Sequence, residues 1–183
     1  MITRRWMLIV AGVLFAVPSA GAAQGDVIQT WQAQTVADLE QMRDKFLSLA
    51  EAFPEEMWDW APMEGTRSVR DVMVLMVAEG NVFPGMWGAV PPSSGATNFG
   101  AEIGRLTPMS KADVIREMGS SLNYMIEAAR SLTPAQRMAD ADWFGEATNG
   151  VGIVGFSVMD MHEHLGQSIA YARMNQIVPP WSR

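Results

Sequence analysis

Seven consecutive residues, Val72-Met73-Val74-Leu75-Met76-Val77-Ala78, are apolar. Ser68 stands ahead of them as an N-cap, with Asp71 three residues later in a capping-box role. The run is therefore read as a helix. A helix apolar on every side is packed on every side, so it needs other helices around it. Gly80 and Pro84 are expected to bring it to a close.

Three further segments carry helical patterning. The first runs from about Ile28 to Phe53, with Val36, Leu39, Phe46, Leu47 and Leu49 near the three-and-four spacing of one face, and Pro54 ends it. The third starts after Ser110, another N-cap, and runs to about Leu132, with Leu122, Met125, Ile126 and Ala129 on its apolar face. Thr133-Pro134 interrupts it, and a helical turn is expected near residues 134–139. The fourth runs from about Ile153 to Gln176, and Pro179-Pro180 stops it. Residues 91–104, rich in Pro, Gly and Ser, read as a long loop. Residues 140–152, punctuated by Gly145, Gly150 and Gly152, read as a second irregular stretch. No two-residue alternation is sustained over several strands. The expectation is an all-α four-helix bundle with a long crossover loop, forming one domain over residues 24–183.

Residues 1–23 read as a signal peptide. Arg4 and Arg5 give a positive start, Trp6 to Val17 an apolar stretch, and Ala20-Gly21-Ala22-Ala23 a small-residue cleavage region. Twelve apolar residues would span only about 18 Å as a helix, short of a ~30 Å hydrocarbon core. The chain is therefore expected to be exported to the periplasm or the extracellular space, with no stable membrane anchor after cleavage. The pair of arginines suits both the general secretory and the twin-arginine route.

Composition removes several chemistries. There are no cysteines, which excludes disulfides, thiolate nucleophiles and Cys-type zinc sites. His162 and His164 are the only histidines, so one chain cannot build a three-histidine metal site. Net charge is −7, and loss of Arg4 and Arg5 would leave 11 basic against 20 acidic residues, or −9. An acidic chain without a basic patch repels phosphate backbones, so no nucleic-acid partner is expected. There is no G-x-S-x-G nucleophile motif, no P-loop and no dinucleotide fingerprint.

The richest stretch is Met159-Asp160-Met161-His162-Glu163-His164-Leu165-Gly166-Gln167. Asp160, His164, Gln167 and Tyr171 follow four-three-four spacing and share one helix face. Val158, Met161, Leu165 and Ala172 form an apolar stripe beside it. His162 points to roughly the opposite side. A carboxylate and an imidazole at i and i+4 can reach one metal ion from the same side. The same spacing also serves a plain hydrogen-bonded Asp–His pair.

The segment from His164 through Ile169-Ala170-Tyr171-Ala172-Arg173-Met174-Asn175 to Pro179-Pro180 is similar to the end of the DinB-like family, which includes the YfiT-like metal-dependent hydrolases. Pro54-Glu55-Glu56, Trp58-Asp59-Trp60-Ala61-Pro62, Gly65-Thr66-Arg67-Ser68 and Ala78-Glu79-Gly80-Asn81 resemble the same family. The resemblance spans about residues 28–181. It implies a four-helix bundle and, in many relatives, a divalent metal on three histidines. One of these lies on the second helix and two lie four apart on the fourth. His164 matches the last of them, and Asp160 stands at the position of its partner. The second-helix ligand falls near Leu75 or Met76, where this chain has no histidine. Glu79, one turn on, is a substitute, since carboxylates also ligate divalent metals. The competing reading of Glu79 is a solvated or salt-bridged residue at a helix end.

Two functions follow. One is a metal-dependent enzyme of hydrolase or transferase type. Its ligands are Glu79, Asp160 and His164, its ion is zinc, nickel, iron or manganese, and Gln167 and Tyr171 support the ligands or face substrate. The other is a non-catalytic, stress-related or ligand-binding bundle that has lost the family metal site. Trp58, Trp60, Trp87 and Trp143 fall in or near connections and could line an apolar pocket for a small molecule. A homodimer is the expected assembly.

Overall fold

The frame consists of α1 (Ala20–Ala52), α2 (Val69–Met86), α4 (Lys111–Arg130) and α6 (Gly150–Met174), with α3 (Phe99–Leu106) and α5 (Pro134–Met138) as short connecting helices. The computed structural model describes residues 20–94 and 96–182, with side chains from residue 25 onward apart from 26 and 28. The apolar stretch assigned to a signal peptide lies outside the described residues. Among the described residues no helix is long and apolar enough to cross a membrane.

Helix α1 packs on α4 and α6, and α2 packs on the same two from the other side. Helices α1 and α2 thus face each other across one diagonal of the bundle, and α4 and α6 across the other. Helix α2 is also covered by α3 and by a strand. That coverage explains its all-round apolar sequence: Val72, Met73, Val74, Met76, Val77 and Ala78 are all buried. On α1, Val36, Leu39, Phe46 and Leu49 are buried as the spacing predicts, and Leu122, Met125, Ile126 and Ala129 are buried on α4.

The caps follow their chemistry. Ser68 and Asp71 close a full capping box on α2, and the Ser110 side chain accepts from the Asp113 N–H. The free carbonyls at the end of α4 are met from α1. The Gln32 side-chain amide donates to the carbonyls of Ala129, Arg130 and Leu132.

Four expectations change. Helix α1 starts at Ala20 rather than near Ile28. Helix α2 does not close at Gly80; it runs through Pro84 to Met86. Gly80 serves a close approach, because a Cβ there would lie 2.7 Å from the Ser121 hydroxyl on α4. Pro84 lacks the N–H that would bond the Gly80 carbonyl, and the helix ends two residues later at Met86. The loop expected over residues 91–104 contains α3, whose N-cap Asn98 accepts from the Ala101 N–H. The stretch expected to be irregular from residue 140 forms an antiparallel hairpin, β1 (Asp140–Trp143) and β2 (Glu146–Asn149), before α6 starts at Gly150. The strands are four residues each, too short for alternation to mark them in the sequence.

Candidate metal centre

Glu79, Asp160 and His164 come together, each offering one ligand atom within 4.8 Å of the others. Glu79 comes from the middle of α2, Asp160 and His164 from successive turns of α6. The His164 Nε2 lies 3.6 Å from Glu79 Oε1 and 3.8 Å from Asp160 Oδ1.

Glu79 is 4% exposed, so the reading of it as a solvated residue at a helix end is incorrect. The helix continues past it, and its face points into the bundle. Its Oε2 is buried without a hydrogen-bond partner. Burial, then the charge of the adjacent Asp160 carboxylate and a hydrogen bond with it, push the Glu79 carboxyl up to about 10, against a smaller opposing pull from Arg67. Two carboxylates facing each other, one buried and one partly exposed, call for a cation or a shared proton.

His164 is oriented from behind. The Gln167 Nε2 donates to the Tyr171 hydroxyl at 2.8 Å, and that hydroxyl donates to the Arg67 carbonyl at 3.0 Å. The Gln167 Oε1 is left to face His164 Nδ1 at 3.1 Å. This chain sets the orientation of the ring: Nδ1–H donates to Gln167, and Nε2 faces the two carboxylates. Tyr171 is buried and meets Trp60 edge-on at 5.4 Å, which holds the far end of the chain. Gln167 and Tyr171 therefore stand behind the ligand group rather than in the pocket.

His162 takes no part. Its Nε2 lies 2.8 Å from Asp38 Oδ2, an exposed pair joining α6 to α1. Of the two positions near which the family resemblance implies a histidine, Leu75 lines the pocket beside Glu79 and Met76 is buried in the core.

The three residues open into a pocket of 560 Å³. Its apolar wall is formed by Leu75, Phe83, Phe99, Ile103, Trp143 and Phe144, and Arg67 and Glu163 add opposite charges. Of the four tryptophans noted in connections, Trp143 lines this pocket, while Trp58 and Trp87 are buried core residues. Phe144, Phe99 and Arg67 carried no sequence signal of their own.

The donors suit a divalent ion: two carboxylates and one pre-oriented imidazole, with one buried oxygen lacking any other partner. The group could hold a metal, and the donor set leaves its identity open.

The fold is similar to that of a DinB-like protein, YjoA, from Bacillus subtilis, with a TM-score of 0.62 and 16% sequence identity over 82% of this chain and 97% of that one. At this identity the likeness speaks for the fold alone. No curated protein matches the chain. The DinB superfamily model matches residues 38–168, a span that holds Glu79, Asp160 and His164 together with most of the helical frame, and the chain therefore belongs to the DinB superfamily.

Proposed function

We propose that Glu79, Asp160 and His164 bind a divalent metal ion, and that the chain is an exported metal-dependent enzyme of hydrolase or transferase type. The observation that carries this reading is the buried, unpartnered Oε2 of Glu79, with Asp160 and the Nε2 of His164 converging on the same carboxyl group. A structural ion pair would leave no such oxygen orphaned, because a buried acceptor without a donor costs about 1–3 kcal/mol.

Zinc, nickel, iron and manganese all accept such donors, and the two carboxylates shift the preference toward harder ions than three histidines would. A divalent ion bound there would supply Lewis-acid polarisation of a substrate oxygen. The chain's own residues do the rest. Glu79 forms the buried wall, Gln167 and Tyr171 hold the imidazole in register, and the aromatic wall excludes water from the apolar part of a ligand. Export rests on the positive, apolar and small-residue sequence of residues 1–23, and a homodimer on the habit of soluble oligomers to pair by twofold symmetry.

A second reading is favoured by the aromatic pocket wall: a small-ligand-binding bundle without catalysis. Elemental analysis of protein purified from the exported fraction, without chelators or a histidine tag, decides the metal question. About one ion per chain, lost in Asp160→Ala and His164→Ala, is the expected result. A folded, metal-free protein would overturn the metal reading and leave the ligand-binding bundle. Turnover by the loaded protein then separates enzyme from binder, and sedimentation tests the dimer.

A further inference from the structure

We propose that the β1–β2 hairpin forms an aromatic lip, and that the pocket takes a small molecule with a planar aromatic body against Phe144 and Trp143 and an anionic head near Arg67. This names a ligand class for the metal-lined pocket and rests on that reading for where the head points.

The turn chemistry comes first. Trp143 pairs with Glu146, so Phe144 and Gly145 alone form the hairpin loop. Both have positive φ, 51° and 97°, as a type I′ turn requires. Gly145 suits such a turn, and its N–H is held by the Asp142 carboxylate at 2.9 Å. Phe144 does not suit it. Asn is the favoured residue there, and a bulky side chain at positive φ is an outlier. The turn does not explain a phenylalanine, and neither does burial, since Phe144 is 67% exposed.

The pocket explains it. Phe144 lies 5.0 Å from Trp143 and 6.0 Å from Phe99, and Trp143 lies 4.8 Å from Phe83 and stacks on Phe156 at 5.5 Å. Aromatic surface thus runs from the core-buried Phe83 to the exposed Phe144 along one wall. Rings at these spacings favour a further ring on their free faces. The cavity volume falls in the range of about 300–1,000 Å³ used by small ligands.

Charge selects the head. Arg67 lines the pocket and makes no side-chain hydrogen bond or ion pair among the described residues. Glu163, in the same lining, favours a cation. A bound divalent ion would offset the charges of Glu79 and Asp160 and leave Arg67 opposite Glu163, so the choice of an anion rests on Arg67 and on the ion's readiness to take a further anionic oxygen.

The test uses the full chain, metal-loaded and chelated, with 3-phenylpropanoate as probe and 3-phenylpropanamide, 3-phenylpropylamine and propanoate as comparators, by calorimetry or ligand-observed NMR. The loaded protein should bind 3-phenylpropanoate about tenfold tighter than any comparator. Phe144→Asn should raise the melting temperature, because the turn gains its favoured residue, and weaken the probe about tenfold; Phe144→Tyr should retain it. Arg67→Gln should cut the preference over the amide several-fold at unchanged metal content, and an unchanged preference would overturn the role of Arg67. Unchanged affinity in Phe144→Asn, or equal binding of propanoate or the amine, would overturn the proposal. If the chain takes up no metal but binds the probe through Phe144 and Arg67, the metal reading falls and the ligand class stands. Metal uptake without preference for the aromatic acid leaves the metal reading and removes the ligand class.

Discussion

Glu79 Oε1 on α2 lies 3.6 Å from His164 Nε2 on α6, across the interior of the bundle. The two residues are far apart in sequence, and the packing of α2 against α6 makes them neighbours. With Asp160 they form a group whose spare oxygen has no protein donor.

Substituting Glu79 should therefore separate stability from metal binding. Glu79→Gln replaces a buried carboxyl, one of whose oxygens has no partner, by an amide of the same shape that cannot ionise. The metal-free protein should gain about 1 kcal/mol or more, or about 2–4 °C in melting temperature, while uptake of zinc or manganese is lost. Thermal melts with and without added ion check both halves. Wild type alone should be stabilised by the ion, since ligand bound only to the folded state raises the midpoint.

The Gln167–Tyr171 chain should matter without touching the ion. Gln167→Leu removes the acceptor for His164 Nδ1–H and should weaken metal affinity about 10–100-fold with the fold intact. His162→Ala is the control: its partner is Asp38, so metal affinity should not change. Competition with a chromophoric chelator measures both variants, and equal losses in the two would refute the assigned roles.

Glu102 should govern part of the acid unfolding. Burial raises its carboxyl, but hydrogen bonds from Arg105 and Asn81 and the charge of Arg105 outweigh burial and hold it below its ordinary value of 4.5. The folded-state value is depressed, so this contribution is fully present above the unfolded value of 4.5 and is lost as pH falls through the folded one. Denaturant midpoints followed from about pH 7 down to about pH 3 should show a shallower acid decline in Glu102→Gln than in wild type.

Gly80→Val should cost about 1–3 kcal/mol, despite replacing glycine inside a helix. A Cβ there would stand 2.7 Å from Ser121 Oγ and 3.1 Å from the Ser121 backbone carbon, so α2 and α4 must part. Because Gly80 adjoins Glu79, metal affinity should fall as well. Chemical denaturation and metal titration of the variant test the two effects together.

Much of this protein is legible along the chain because it depends on neighbours in sequence. The all-round apolar Val72–Ala78 segment demanded helices on every side, and Ser68, Asp71 and Ser110 set helix starts through hydrogen bonds spanning three residues. The i, i+4 spacing placed Asp160 and His164 on one face and turned His162 away. Other features depend on partners distant in sequence, and only the tertiary structure decided them. Gly80 reads as a helix stop until Ser121 packs against it. Glu79 reads equally as a solvated end residue until α2 continues to Met86 and α6 closes over it. The hairpin of Asp140–Asn149 is too short to show periodicity, and it forms where Trp143 can reach Phe83 and Phe156. Local hydrogen bonding and periodicity act over a few residues and are written in the sequence. A buried carboxylate, a close helix contact and an aromatic wall exist only once segments far apart in the chain exclude water between them.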